Sequence, residues 1–224
     1  MSKKRVKQYL MLLTVIGLVA IAAGGSGTFA TFSAETTNPG NTFATGTIVL
    51  SNTVNSGTSC LSTGGGNTNT NINAACDQLF SALVKKPGDS YTGDQLNLQN
   101  AGSIDATALK LTAGSCLTSN AGGESFHGTG NLCPLLDVYV QEWTDNTYSV
   151  ASHCWYGGGN ATTCAFDDTK TLATLNGASP FTLTGGLNAG SDRYFTVGVE
   201  LQNGAGNTVQ GRSAAADLTW HIDQ

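Results

Sequence analysis

Three histidines and six cysteines are the residues in this 224-residue chain best equipped for chemistry, and their spacing decides what that chemistry is. His127, His153 and His221 are followed by glycine, cysteine and isoleucine, and no two are close in sequence. A zincin needs two histidines one helical turn apart with a glutamate base between them. That motif is absent, so the three rings read as solvated or locally bonded groups. The cysteines, Cys60, Cys76, Cys116, Cys133, Cys154 and Cys164, contain no C-x-x-C pair of the kind that holds zinc. An even count behind an export signal reads as disulfides. Sequence neighbours enclose Gly/Asn/Thr-rich loops, which implies Cys60 with Cys76, Cys116 with Cys133, and Cys154 with Cys164. Each bridge would contribute on the order of 3 kcal/mol by restricting the unfolded chain.

The remaining motifs carry little chemistry. No G-x-S-x-G elbow occurs. Gly64 to Gly66 and Gly157 to Gly159 lack the lysine and following helix of a phosphate loop. Asp167-Asp168 offers hard oxygen ligands for calcium, although adjacent acids in a loop are ordinarily just solvated. Asn160-Ala161-Thr162 matches a glycosylation sequon. Trp143, Trp155 and Trp220 read as rim or core residues, and an exposed pair of them would instead favour carbohydrate adhesion. The pattern therefore names no catalytic residue, no cofactor and no metal.

The elements that position these residues begin with an export segment. Lys3, Lys4, Arg5 and Lys7 precede an apolar run from Tyr9 to Ala23, then small residues and Thr28-Phe29-Ala30. This is a signal peptide with cleavage expected between Ala30 and Thr31. The run is shorter than the roughly 20 residues needed to span a bilayer, so the membrane is a partner of the precursor alone. Removing residues 1–30 takes four of the ten basic residues and none of the fifteen acidic ones, leaving six against fifteen and a net charge of −9. Nucleic acid is an unsuitable partner for that surface.

Residues 31–44 form a weakly alternating segment, with Phe32 and Ala34 on one side, joined to the body through Pro39-Gly40. A single domain is expected over 45–224. Its first strand is read at Thr45 to Ser51, followed by a polar loop from Asn52 to Asn73 that cannot bury enough surface to order itself. Ala74 to Val84 fits a helix by its apolar spacing and a strand by the KPGD turn that follows. Period-two alternation marks strands at Leu96 and Leu98, at Ile104 to Leu111, at Leu136 to Trp143, at Tyr148 to Tyr156, at Phe195 to Leu201 and at Leu218 to Ile222. Asn203-Gly204 is a hairpin signal. Short alternating strands between turn signals, with little helical periodicity after Ala30, give an all-β antiparallel sandwich.

Four stretches carry a resemblance to a known family. GTFATFSAETTNPGNTFATGTIVLS (27–51), KKPGDSYTGDQLNLQNAGSIDATALKL (85–111), DRYFTVGVELQN (192–203) and AADLTWHID (215–223), about a third of the chain, resemble the TasA and camelysin family of exported bacterial surface proteins. The resemblance implies a jelly-roll sandwich, a strand from about Gln78 to Val84, and a secreted subunit of extracellular or biofilm-matrix fibres. It also implies that an N-terminal donor strand, with Thr31, Phe32, Ala34 and Phe43, inserts into the next copy, so that the partners are the chain itself and a signal peptidase during export. Phe32 would fill a side-chain pocket while backbone bonds supply general affinity. Donor and acceptor surfaces differ, so the contact propagates an open filament. Two alternatives stay open at this point: a camelysin-type surface metallopeptidase, against which the absent zincin motif speaks, and a monomeric cell-surface adhesin.

Overall fold

The computed structural model describes Lys7, residues 46–64, Cys76, Asp77, Leu79 and residues 86–224. The expected cleavage point at Ala30 and Thr31, the donor residues Thr31, Phe32, Ala34 and Phe43, and most of the strand expected at 78–84 lie outside the described residues. The chain divides into two compact units, Met1–Ala44 and Thr45–Gln224. Only the second is described below.

Its elements in chain order are β1 (Leu50–Val54), β2 (Cys60–Leu61), β3 (Ser90–Tyr91), β4 (Gln95–Asn100), β5 (Ala108–Ala113), β6 (Leu117–Asn120), β7 (Leu136–Trp143) and β8 (Ala151–Tyr156). There follow β9 (Gly158–Gly159), β10 (Cys164–Ala165), the helix α1 (Leu172–Ala178), β11 (Phe181–Leu183), β12 (Asp192–Leu201), β13 (Arg212–Ala215) and β14 (Leu218–Asp223). All strand pairs are antiparallel. One sheet runs β2-β1-β4-β12-β7-β8, with β3 pairing β12 beside β4, and a second runs β11-β5-β14. Two short ribbons, β9 with β10 and β6 with β13, complete the described strands.

Alternation builds the core. Leu96 and Leu98 of β4, Val138 and Val140 of β7, and Phe195 and Val197 of β12 are fully buried, as are Leu109 and Leu111 of β5. The two sheets meet where Phe195 packs on Trp220 of β14 at 4.8 Å between ring centroids, and where Tyr156 of β8 meets Phe181 of β11 at 5.6 Å. The architecture is the expected antiparallel sandwich. Burying each of these large side chains contributes about 1.5–3 kcal/mol.

Several boundaries differ from the sequence reading. The first strand starts at Leu50, because residues 47–49 are engaged by the turn at 101–104 instead: Ala101 N–H donates to the Val49 carbonyl at 2.7 Å and Ser103 N–H to that of Thr47 at 2.8 Å. Asn52 to Val54, read as loop, is the second half of β1, where pairing with Leu98, Asn97 and Leu96 overrides weak intrinsic preference. β5 starts at Ala108 because Ala106 instead bridges Leu187 across the corner. β8 starts at Ala151, after a turn in which Tyr148 takes a φ of 51°. Asn203-Gly204 does turn the chain, but the next strand, β13, pairs with β6: both edges of β12 are already taken, by β3 and β4 on one side and β7 on the other. The helix α1 was not expected. Thr171 and Thr174 form its capping box, and Leu172 and Leu175 are buried beneath it.

The corner between β4 and β5 hangs on Asn100, which is fully buried. Its Nδ2 donates to the carbonyls of Ile104 at 2.8 Å and Leu187 at 2.9 Å, while Oδ1 accepts from Gly102 N–H at 3.0 Å. Asn100→Ala should therefore cost about 2–4 kcal/mol by stranding these backbone groups. Guanidinium unfolding with the disulfides intact measures it, as a lower midpoint at unchanged slope.

Candidate functional site

A sandwich presents its surfaces to partners, and the edges of its sheets are where backbone groups are left to bind something. Among the described residues the two larger sheets have four edges, and three of these are blunted. β2 is two residues long and is tied down by the Cys60–Cys76 bridge. β11 has three residues. β8 is longer, but a flap covers its outer side: Cys154 N–H donates to the Ala161 carbonyl at 2.9 Å, and Cys154 is bridged to Cys164 of β10.

Gln141 fastens that flap from below. It is 2 % exposed, and its Nε2 donates to the carbonyls of His153 and Thr162, both at 2.9 Å. Its Oε1 accepts from Cys164 N–H at 2.7 Å. The third bridge, Cys116–Cys133, closes the loop that carries His127. The pairing is that of sequence neighbours throughout.

The fourth edge, β14, is different. Gly114 N–H donates to the Asp217 carbonyl at 2.8 Å, which sets the hydrogen-bonded register of the β5–β14 ladder. Alternation then turns the backbone groups of Thr219 and His221 toward β5, and those of Leu218, Trp220 and Ile222 away from it. Among the described residues nothing pairs with the outward side of β14. The strand is six residues long and carries no proline, glycine or bulge. Only its far end is charged, where Lys110 Nζ meets the Asp223 carboxylate at 2.6 Å and His221 Nε2 meets it at 2.7 Å. The Lys110 and His221 contacts hold the Asp223 carboxyl below its usual range.

The residues singled out for chemistry are spread over separate elements. His127 Nδ1 lies 2.6 Å from the Gly211 carbonyl, His153 stacks on Trp155 at 4.0 Å, and His221 sits on β14. No three His, Cys, Asp or Glu side chains converge as a metal-ligand set among the described residues. Trp220 is buried, Trp143 donates its indole N–H to Thr196 at 3.0 Å, and Trp155 donates to Glu142 at 2.7 Å. Asp167 is taken up by its own turn, accepting from Thr169, whose bonds hold its carboxyl below the usual range.

Two polar groups escaped sequence reasoning. Arg193 makes a two-pronged ion pair with Glu142, at 2.7 and 2.8 Å, and donates to the Gly185 carbonyl at 2.9 Å. It thereby fastens the β11–β12 connection onto the large sheet. Asp137, at an outward position of β7, is only 1 % exposed because the loop before α1 lies over it. Burial pushes its carboxyl up to about 6; the Gln202 bond opposes this, and the Asp168 and Glu200 carboxylates add to it.

No protein-family model matches this chain, and no curated protein matches it. Nor is any helix among the described residues long and apolar enough to cross a membrane. Three disulfides with no free cysteine among the described residues fit an oxidising setting.

Because the folded Asp137 holds its proton more tightly than the unfolded chain does, it favours the fold most below about pH 4. That advantage is lost as the pH rises through about 6. Asp137→Asn keeps an acceptor for Gln202 and removes the charge. In divalent-free buffer the variant should melt several degrees above wild type at pH 7.5, and the gap should close toward pH 4, read by scanning calorimetry.

Proposed function

We propose that the chain is a secreted structural subunit of extracellular fibres, in which residues 31–43 of one copy add as a strand to the β14 edge of the next. The observation that carries this reading is the contrast among the edges of the two larger sheets as far as residues are described: three are short or covered, and β14 presents three successive outward-facing sets of backbone donors and acceptors. Strand addition needs that kind of edge, with side-chain pockets supplying register. Among the described residues the second sheet stacks on the first from β11 over β8 to β14 over β12, so a strand added beyond β14 would lengthen the smaller sheet at its β14 margin. The alternation of Phe32 and Ala34 suits a strand with one buried face, and Pro39-Gly40 provides the joint.

Export supports the same reading. The basic and apolar N-terminus would tether the donor to the membrane until cleavage at Ala30, which would delay assembly until the chain is outside. The jelly-roll topology and the matrix or cell-surface role belong to this proposal through the resemblance to the TasA and camelysin family.

Negative-stain microscopy tests it. A chain beginning at Thr31 should form filaments, while one beginning at Thr45 should stay monomeric. Leu218→Pro in the longer chain should stop growth while the monomer stays folded with a lower melting temperature, because its N–H points away from β5 and the lost ladder donor is on the outer side, while the lost side chain packs on the core. Equal polymerisation of the two lengths eliminates the donor role.

A further inference from the structure

The loop over Asp137 poses an electrostatic problem that the protein's own groups leave unsolved. Gln202 Nε2 donates to Asp137 Oδ1 at 2.6 Å and to the Asp168 main-chain carbonyl at 3.0 Å, and Val138 N–H donates to the Lys170 carbonyl at 2.8 Å. These bonds pin the loop on β7 and satisfy one carboxylate oxygen. The other, Asp137 Oδ2, is buried and has no hydrogen-bond donor. Gln202 thus ties Asp137 to the main chain of Asp168, whose carboxylate pushes the Asp137 carboxyl up, and Glu200 is the cross-strand neighbour on β12.

The charged and titratable groups around it offer no relief. Lys170 lies over the Tyr156 ring, 5.7 Å from its centroid, and Tyr156 itself donates to the Thr171 carbonyl. Asp167 bonds Thr169. Neighbouring carboxyl groups, one of them buried with an oxygen unpaired, are stabilised by a shared proton at low pH and by a cation at neutral pH.

We propose that Asp137 and Asp168 bind a hard divalent cation, calcium or magnesium, which keeps part of its water shell. Asp137 Oδ2 is the fixed inner ligand, and Asp168, which is exposed, is the outer one through which the ion enters. Magnesium is commonly held by one or two carboxylates with water in the rest of its shell, calcium would need more oxygen ligands from water or main-chain carbonyls, and nitrogen and sulfur ligands for a softer metal do not converge among the described residues. The position is not Asp167-Asp168 acting as an adjacent pair, because Asp167 is spent on its turn. The ion would lock the loop before α1 onto β7, and that loop carries the capping residue Thr171.

Calorimetry on the purified full chain at pH 7.5 provides the test, comparing chelator, 1 mM calcium chloride, 1 mM magnesium chloride and sodium chloride of matched ionic strength. One of the divalent ions should raise the melting temperature by about 5 °C over chelator and over sodium. Asp168→Asn should abolish that increment while circular dichroism remains that of the folded sandwich. Asp167→Asn, which keeps its turn, should retain it. Equal melting temperatures in all four buffers, or an increment that survives in Asp168→Asn, overturns the proposal and leaves the pair sharing a proton.

Discussion

The sandwich is organised around β12. Its ten residues are hydrogen-bonded along both margins, to β3 and β4 on one side and to β7 on the other, while its inner face packs on the opposite sheet through Phe195 and Trp220. Two glycines make this crowding sterically feasible. Gly198 lies beneath the Tyr139 ring, where any Cβ would collide with it, and Gly93, at a φ of 90°, lets the β3–β4 connection pass against the Val197 carbonyl. With both margins filled, every later strand has to find its partner elsewhere. That is why β13 pairs with β6, and why the second sheet closes over the first at β14.

The parts legible in the sequence are those in which one face of a strand is wet and the other dry. β4, β7, β12 and β14 alternate at a period of two because their inner residues are core and their outer ones mostly are not. The cysteine pairs were legible too, since Gly/Asn/Thr-rich loops leave little else to close them. Illegible were features decided at long range. The end of β1 depends on β4, and the start of β5 depends on Asn100 and Leu187, which are 87 residues apart. Gln141 and Asp137 occupy outward positions of an alternating strand, where polar side chains are ordinarily solvated. They are buried because the flap and the loop before α1 cross over them, an outcome nothing in their own neighbourhood announces. The helix α1, seven residues long, is shorter than the window in which helical periodicity emerges.

Nor could the place of β14, last in its sheet among the described residues, be read from residues alone. Leu218 to Ile222 has the same alternating look as the strands that end up in the middle of a sheet. Which strand comes last is a property of the order of pairing, not of its sequence. The polar outer surfaces follow a comparable logic: Glu142, Arg193 and Trp155 are spread over three strands, and only the register of β7 with β8 and β12 brings them into one hydrogen-bonded group.

The covalent flap over β8 also bears on how firmly that margin is closed. The Cys154–Cys164 bridge and the Gln141 bonds grip it independently, so without the sulfur link the cover would be held by hydrogen bonds alone. Oxidation of that pair thus turns a latch that thermal fluctuation can lift into a permanent one.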